Sequence, residues 1–387
     1  MSVTAASGFV ASGVRANIRK EKRDLALVRS VEQATGAAVW TQNRVLAAPV
    51  VVSKRHLERA EPQAIVVNSG IANAATGAQG EADSVATAER AAALLGLAPE
   101  QVVLLSPGVI GAPMPMDRVL AGVDAAAAAL SPDGGDDAAE AILTTDTHPK
   151  TSVSHGDGFT VGGMAKGSGM IHPNLATMLA VVTTDYPLEP GEAIKFLRPA
   201  VDASFNSISV DGECSTNDAV VLLSSGAAAV ARTPASGDEF ARALGTVCSE
   251  LARQVVSDGE GATLVAEITV SGAASEPEAR AIAQRIATSP LVKTALFGRD
   301  ANWGRVLMAA GSAPHNGGYA NVDPERVSLS YNGTAVLVNG APQNVEPDVA
   351  GAVCTIELEL GLGRGRATYL TSDLSYDYVR INAEYRS

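Results

Sequence analysis

Short continuous apolar runs alternate along the chain with longer stretches of amphipathic pattern. The runs at residues 64–67 (AIVV) and 102–105 (VVLL) are too short for helices and predict buried strands. Between them, the pattern over residues 83–95 predicts a helix that begins at Asp83 or Ser84 and ends at Gly96. This order predicts a strand, helix, strand unit.

Similar patterns in the second half predict another layered region. A helix over residues 238–256 has acidic residues near its start, and it is followed by the turn SDGEGA and a strand over residues 264–272. A further helix is predicted near Pro277, with Ser275 as its cap. The pattern predicts an α/β (α+β) fold of mixed β-sheets layered with helices, but it does not give the strand order.

The glycine-rich segment GLGRG at residues 361–365 is superficially similar to a dinucleotide-binding loop. The residues after it alternate like a strand, whereas such a loop would lead into a helix. A hairpin is therefore predicted there. A second segment, GGMAKGSGM at residues 162–170, lacks the GK[ST] order of a phosphate-binding loop, so no nucleotide site is predicted.

Composition and charge narrow the functional class. The chain has 387 residues, of which 46% are apolar, enough for two or three packed subdomains. A net charge of −13 argues against a nucleic-acid partner, because phosphate binding needs an excess of Lys and Arg. No apolar run approaches the roughly 18 residues of a membrane span, and the N-terminus lacks the apolar core of a signal peptide. We therefore expect a cytoplasmic protein with no membrane partner.

Metal chemistry is not predicted either. The three cysteines and five histidines are scattered, and no CxxC, HxxxH or HExxH spacing occurs. The sequence predicts neither a metal site nor a disulfide framework, and no resident cofactor.

Thr177 stands where a loop gives way to an apolar run, in the segment HPNLATMLAVV at residues 172–182. One interpretation is a threonine that caps the edge of a strand. The other is an N-terminal nucleophile. If the chain cuts itself between Ala176 and Thr177, the freed α-amine, with a pKa near ~8, lies beside its own hydroxyl as a base. The pattern alone leaves both interpretations open.

Motifs along almost the whole chain resemble those of the ornithine acetyltransferases, also called the bifunctional glutamate N-acetyltransferases of arginine biosynthesis. The central match is GGMAKGSGM followed by HPNLATML. The other matching segments are GFVASGVRANIRKEKRDLALV, NSGIANAATG, PGVIG, TTDTHPK, FNSISVDGECSTND, SDGEGA, DANWGR and the C-terminal YVRINAEYRS.

This resemblance implies a self-cleaving acetyltransferase with an N-terminal-nucleophile fold. Cleavage between Ala176 and Thr177 would give an α chain of residues 1–176 and a β chain of residues 177–387. Thr177 would then take an acetyl group from N-acetylornithine and pass it to glutamate. The family also implies a heterotetramer of two α and two β chains, and acetyl-CoA as a further acetyl donor in bifunctional members.

The resemblance also assigns substrate contacts, each of which is chemically reasonable. They are Thr144, Lys166, Glu260, Asn382 and Ser387, together with Thr177. Lys166 supplies a compact positive charge for an amino-acid carboxylate, where the plain alternative is a solvated lysine. Glu260 can pair with a substrate ammonium, where the alternative is an acid that only caps a turn. Asn382 and Ser387 offer neutral donors and acceptors.

Two tetrahedral intermediates require hydrogen-bond donors for their oxyanions. In the family, a threonine and a glycine of a TGVIG loop supply them, whereas this chain has Pro107 and Gly108 at those positions. Proline has neither an N–H nor a hydroxyl, so only the Gly108 amide clearly remains, with the Ser106 hydroxyl or a water as substitutes. Losing one donor typically costs a factor of about 100 to 1000 in rate.

Two further functions stay open at this point. One is an N-terminal-nucleophile amidase or aminopeptidase, in which water is the acceptor. The other is a weakly active or non-catalytic paralogue, for which Pro107 is the support. Ile71, which replaces an asparagine of the family's NSGNANA motif, and Leu264, which replaces a lysine, bear on the identity of the substrate.

Overall fold

The computed structural model describes residues 2–172 and 178–384, which form ten α-helices and twenty β-strands. The helices are α1 (Ala48–Leu57), α2 (Gly77–Leu95), α3 (Met116–Ala128), α4 (Gly135–Ala141), α5 (Ala193–Ala203), α6 (Pro234–Ser257), α7 (Glu276–Ala287), α8 (Pro290–Phe297), α9 (Trp303–Gly311) and α10 (Tyr376–Glu384).

The strands are β1 (Phe9–Val14), β2 (Leu25–Ser30), β3 (Thr35–Trp40), β4 (Ala64–Asn68), β5 (Gly70–Ile71), β6 (Val102–Leu105), β7 (Gly108–Val109), β8 (Lys150–Gly156), β9 (Phe159–Lys166), β10 (Leu179–Thr184), β11 (Ile208–Ser209), β12 (Ala219–Ser224), β13 (Val265–Ala273), β14 (Pro314–His315), β15 (Gly318–Tyr319), β16 (Ser328–Tyr331), β17 (Thr334–Val338), β18 (Ala341–Pro342), β19 (Val353–Glu359) and β20 (Gly365–Ser372).

The described residues divide into two compact units. The first holds residues up to 206 and residues 213–255, and the second holds residues 207–212 and the chain from 256 onward. Both units combine helices with sheets, so the prediction of mixed β-sheets layered with helices is confirmed. None of the helices in the described part of the chain is long and apolar enough to cross a membrane.

The first unit is built in four layers. A four-stranded sheet of order β1-β2-β4-β6 and a five-stranded sheet of order β3-β12-β10-β9-β8 share one apolar core, in which Ile65 packs with Met164 and Val181. Helices α2 and α3 cover the outer face of the first sheet. The α6 side chains Val247 and Leu251 lie against Gly163 of β9 on the second. Apolar side chains on both faces therefore bury both sheets.

The strand at the centre of the five-stranded sheet is β10, which begins two residues after Thr177 in the sequence. All six of its residues are buried, as expected for a continuous apolar run with neighbours on both faces. It runs antiparallel to β9 and parallel to β12, with Leu179 opposite both Lys166 and Ala219. The apolar run that follows Thr177 in the sequence is therefore a fully buried strand.

The predicted strand, helix, strand unit is also confirmed, as β4, α2 and β6, and its two strands pair in parallel. Gly96 ends α2 with a left-handed φ of 68°. The predicted start at Asp83 or Ser84 is wrong, because α2 begins at Gly77. The side-chain amide of Asn73 donates to the Gly80 carbonyl and to the Ser84 hydroxyl, so contacts from outside the helix stabilise its glycine-containing first turns.

The second unit is a seven-stranded sheet of order β11-β20-β13-β19-β16-β17-β18, with α7 and α9 packed into its core. The predicted helix near Pro277 is α7, and the Ser275 hydroxyl accepts a hydrogen bond from the Glu278 amide as its cap. The strand predicted over residues 264–272 is β13. The helix predicted over residues 238–256 is α6, nearly all of it in the first unit, but its predicted start is wrong, because α6 begins at Pro234 and has no acidic residue in its first turn.

The predicted hairpin at GLGRG is wrong. Strands β19 and β20 do not pair with each other; they lie on opposite sides of β13, parallel and antiparallel to it. The connecting segment wraps around the end of β13, where the amides of Leu362 and Gly363 both donate to the Gly272 carbonyl. A side chain at Gly363 would meet the Ala273 carbonyl oxygen at 2.5 Å, so glycine permits this close approach.

Candidate active site

The predicted nucleophile Thr177, its neighbour Ala176 and the C-terminal Ser387 lie outside the described residues. The described chain resumes at Met178, which is 3% exposed, and enters β10 at Leu179. Because Leu179 lies opposite Lys166 on β9, the end of β9 borders the point at which β10 begins.

A buried carboxylate organises the segment around two of the predicted contacts. Asp146 Oδ2 accepts a hydrogen bond from the Thr144 amide at 2.9 Å, and Oδ1 accepts one from the Gly167 amide at 2.6 Å. Oδ1 also lies 2.7 Å from Lys150 Nζ, and neither side chain of this ion pair is exposed. Asp146 thereby joins the loop that carries Thr144 to the end of β9.

The charges around Asp146 determine its ionisation. Burial by itself would raise the pKa of the Asp146 carboxyl, but the positive charges of Lys166 and Lys150 outweigh that effect. Hydrogen bonds from Lys150 and from the Thr144 amide act in the same direction and hold the pKa well below its usual range. Lys166 itself is buried, 8% exposed, so a full negative charge lies within the field of two buried ammonium groups.

Arg19 supports the same loop from its other side. Its guanidinium donates to the carbonyl oxygens of Leu143 and Thr144, the latter at 2.9 Å. The backbone at Arg19 is in turn held by Asp24, whose carboxylate accepts from the amides of Ala16 and Arg19. Thr144 is thus fixed through its carbonyl by Arg19 and through its amide by Asp146.

Sequence reasoning missed Asp146, Lys150 and Arg19. The family resemblance assigns a substrate contact only to the first threonine of the motif TTDTHPK, Thr144. A usable signal was present, since Asp146 and Lys150 are the charged residues of a short segment that leads into a strand, and a buried charge needs a partner. No comparable signal marks Arg19, which lies 125 residues from Thr144 in the chain.

The oxyanion loop pairs with residues 70–72 through the short strands β5 and β7. The Gly70 amide donates to the Pro107 carbonyl at 2.8 Å, and the Ala72 amide donates to the Val109 carbonyl at 2.9 Å. Alternate residues of a strand direct their peptide groups to opposite sides, so the Gly108 N–H faces away from this pairing. Gly108 has a φ of 145°, and a Cβ there would overlap the backbone of Gly70.

The structure shows where the Ser106 hydroxyl, one substitute for the oxyanion donor that is absent at Pro107, makes its hydrogen bond. The Ser106 hydroxyl is buried and donates to the Ile71 carbonyl at 2.6 Å. The Asn68 side-chain amide donates to the same carbonyl at 3.1 Å. The Ser106 hydroxyl proton is therefore engaged within the loop, and the oxyanion role of the Gly108 amide stays a prediction.

Two predicted contacts meet within the second unit. The Asn382 side-chain amide, on α10, donates to Glu260 Oε2 at 2.8 Å. Glu260 is 8% exposed and lies in the predicted SDGEGA turn, in which the next residue, Gly261, has a φ of 67°. The Ser375 hydroxyl donates to the Gly261 carbonyl at 2.6 Å, so the start of α10 is held against the turn.

Asp373 fixes the other end of this turn. Its carboxylate accepts hydrogen bonds from the amide of Thr263, at 2.8 Å, and from the Thr263 hydroxyl. The predicted turn is therefore confirmed, and hydrogen bonds anchor its backbone at Gly261 and at Thr263. Among the described residues, no group of three or more His, Cys, Asp or Glu side chains is arranged to hold a metal ion.

The structure thus brings the predicted site residues together in two sets. Thr144 and the Lys166–Gly167 segment are gathered around Asp146 in the first unit, which also contains the loop at Gly108. Glu260 and Asn382 are bonded to each other in the second unit.

Comparison with known proteins identifies the family. The model of the ArgJ family matches residues 10–387. The chain is 48% identical to the arginine biosynthesis bifunctional protein ArgJ of Symbiobacterium thermophilum, over 100% of this chain and 98% of that protein. It is 46% identical to the protein of the same name from Streptomyces coelicolor, over 100% of both chains.

A solved structure, the ornithine acetyltransferase of Mycobacterium tuberculosis complexed with ornithine, is also similar. It is 43% identical, covers 45% of this chain and 95% of its own, and superposes with a TM-score of 0.43. The family predicted from the motifs is confirmed by the full-length matches. This chain belongs to the ArgJ family of arginine-biosynthesis enzymes.

Proposed function

We propose that this protein transfers an acetyl group from N-acetylornithine to glutamate through an acetylated Thr177. The observation that carries the proposal is the arrangement at the end of β9. Lys166 and Thr144 converge there on Asp146, beside the point where β10 begins two residues after Thr177. A buried lysine suits the carboxylate of an amino-acid substrate, and the full-length ArgJ matches support the same substrate class.

The first step of the proposal is self-cleavage. The Thr177 hydroxyl attacks the carbonyl carbon of Ala176, and the peptide nitrogen leaves as the free α-amine of Thr177. Water then hydrolyses the ester between Ala176 and the Thr177 oxygen. The products are the α chain, residues 1–176, and the β chain, residues 177–387, whose new amine serves as the base.

The second step is a two-stage acetyl transfer. Thr177 Oγ attacks the acetyl carbonyl of N-acetylornithine, and its proton passes through the α-amine to the departing nitrogen, which releases ornithine. The amine of glutamate then attacks the acetyl ester, N-acetylglutamate leaves, and Thr177 regains its proton. In each stage the Gly108 amide donates to the oxyanion, while Glu260 pairs with a substrate ammonium.

Self-cleavage is tested with Thr177→Ala. The wild-type protein should give two bands on a denaturing gel. N-terminal sequencing of the β chain should begin Thr-Met-Leu. Thr177→Ala should remain one chain with no measurable transfer, because it lacks the attacking oxygen. Thr177→Ser keeps a hydroxyl and is the matched control, which should still cleave. An uncleaved wild-type chain would count against the proposal.

Product analysis separates transfer from the two alternatives. Acetyl transfer predicts that release of ornithine from N-acetylornithine depends on glutamate and yields N-acetylglutamate in equal amount. An amidase would release acetate at a rate indifferent to glutamate. A paralogue disabled by Pro107 would cleave normally but show no transfer at any substrate concentration.

The finer parts of the proposal concern assembly and donor range. We place two α and two β chains in the active molecule, located in the cytoplasm, with Ser387 as a further substrate contact and no resident cofactor. Acetyl-CoA is an alternative donor. Mass spectrometry of the β chain after exposure to acetyl-CoA or N-acetylornithine tests both donors, since each would add one acetyl group to Thr177.

A further inference from the structure

We infer that Asp146 is a positioning residue of the acetyl-transfer site, whose carboxylate fixes Thr144 and the Lys166–Gly167 segment relative to each other. The inference rests on the proposed function, because Thr144 and Lys166 are the substrate contacts that it would align. Nothing in the family motifs used above assigns a role to Asp146.

The hydrogen bonds show how one carboxylate joins two separate segments. Oδ2 accepts from the Thr144 amide at 2.9 Å, and the Thr144 hydroxyl lies 3.4 Å from the same oxygen. Oδ1 accepts from the Gly167 amide at 2.6 Å. Both oxygens must therefore accept, and an ionised carboxylate is the side chain of this size that has two acceptor oxygens and no donor.

Steric limits on the Gly167 side make this link specific. A Cβ on Gly167 would lie 2.9 Å from Ile171 Cδ1 and 3.2 Å from Val255 Cγ1. The absence of a side chain lets the backbone pass between these apolar groups and present its amide to Asp146. The residue before it, Lys166, is thereby held at the end of β9, opposite Leu179.

Lys150 has a different role in this cluster. Its ammonium balances Asp146 at 2.7 Å, and both side chains are fully buried. Lys150 lies on β8, opposite Ala165 of β9, and its ammonium donates to Asp146 Oδ1 and to the His148 carbonyl. A buried ion pair is in itself weak support for a stabilising role, since an apolar pair of similar size is often as stable. Variants can therefore separate charge balance from positioning.

The test compares Asp146→Asn, Lys150→Met and the double variant. Asp146→Asn alone leaves the Lys150 ammonium buried without its carboxylate, so we expect a lower unfolding temperature. The double variant removes both charges of this ion pair and leaves only Lys166 charged, so it should regain most of the unfolding temperature lost in Asp146→Asn. In both variants that carry Asp146→Asn, the Asn side chain has only one acceptor oxygen. Its NH2 group therefore faces either the Thr144 or the Gly167 amide, and the hydrogen bond to that amide is lost.

If Asp146 positions the substrate contacts, the double variant should regain thermal stability without regaining its affinity for the substrates. In the double variant we expect the KM for glutamate, and the Kd for ornithine measured by calorimetry, to rise on the order of 10- to 100-fold, the usual effect of losing a charge-assisted hydrogen bond. The fall in kcat should be smaller than the rise in KM. Lys150→Met keeps the carboxylate and both amide links but removes its buried ion-pair partner, so we expect a lower unfolding temperature together with a smaller rise in KM and Kd than in the double variant.

A matched surface control is Asp124→Asn, which breaks the exposed ion pair between Asp124 and Arg90. It should change neither KM nor Kd. A double variant that is stable and binds ornithine as tightly as the wild type would overturn the inference. Ornithine binding is measured without turnover, so it tests Asp146 even if wild-type transfer fails, and failed wild-type transfer is a result against the proposed function alone.

Discussion

The buried lysines Lys150 and Lys293 lie beside different partners, and this difference affects how the stability of the protein depends on pH. Lys150 lies against a carboxylate, whereas Lys293 on α8 donates to the Thr371 hydroxyl at 2.8 Å and to the Ser372 carbonyl, which are neutral. Burial lowers the pKa of Lys293 to about 7, although the charges of Asp373 and Asp211 act in the opposite direction.

Lys293 should make stability rise with pH above neutrality. Its folded-state pKa is about 7, and the unfolded value is near ~10.4, so the unfolded chain binds more protons between these limits. Stability contributed by this residue then increases as pH rises through that window, by at most about 1.4 kcal/mol per pH unit. Urea unfolding of the wild type and of Lys293→Met at pH 7, 8 and 9 measures the difference.

The free energy of unfolding of the wild type, relative to that of Lys293→Met, should increase at each step of this pH series. Lys195→Met, at an exposed lysine of α5, controls for general effects of alkaline solution. If the difference between the wild type and Lys293→Met stays constant with pH, then the lysine is not buried in the neutral environment that the structure describes.

At the scale of elements, the loop at Gly108 is the most constrained part of the candidate site. The pairing of β5 with β7 leaves no space for a side chain, since a Cβ on Gly108 would overlap the backbone of Gly70 and Ile71. Its φ of 145° is also strained for other residues. The loop can therefore present the Gly108 amide only while residue 108 is glycine.

Gly108→Ala should impair both folding and catalysis. Overpacking at this contact is expected to lower the free energy of unfolding by about 1–3 kcal/mol. Displacement of the remaining oxyanion donor should lower kcat on the order of 100-fold. The control is Gly245→Ala on α6, where no atom lies within 4 Å of the added Cβ. It should keep full activity, and unchanged kcat in Gly108→Ala would exclude this amide as the donor.

The elements also show what the sequence could and could not predict. Strands β4 and β6 and the Gly96 end of α2 follow from local apolar runs and one glycine, which act within a few residues. The start of α2 depends on the Asn73 side chain, only seven residues before Gly80, but no apolar periodicity marks this contact. The path of GLGRG depends on the Gly272 carbonyl, which belongs to another strand, β13. The charged residues of TTDTHPK hint at a buried ion pair, but the link from Asp146 to Gly167, 21 residues away, depends on the tertiary fold.

For the whole molecule, the order of strands determines how cleavage would affect the first unit. In the five-stranded sheet β3-β12-β10-β9-β8, strands β3, β9 and β8 precede Thr177 in the sequence, whereas β12 and β10 follow it. Cleavage would therefore leave one sheet with strands from both chains, paired across the β3–β12 and β10–β9 boundaries. The cleavage position between Ala176 and Thr177 stays a prediction from the family resemblance, and the interleaving could not be predicted because it depends on the strand order.

We predict that the α and β chains stay associated until the first unit unfolds. Each boundary pairs six residues, and the β10 side chains Leu179, Val181 and Val182 are at most 2% exposed, with each contributing about 1.5–3 kcal/mol of apolar burial. Separation would expose this core and two strand edges.

Cleaved protein should therefore elute as one species in gel filtration and give two bands only under denaturing conditions. In a urea series, dissociation of the chains and loss of the native circular dichroism should coincide. The uncleaved Thr177→Ala protein is the reference, and dissociation at urea concentrations that leave its spectrum native would show that the two chains are held together by less than this shared sheet.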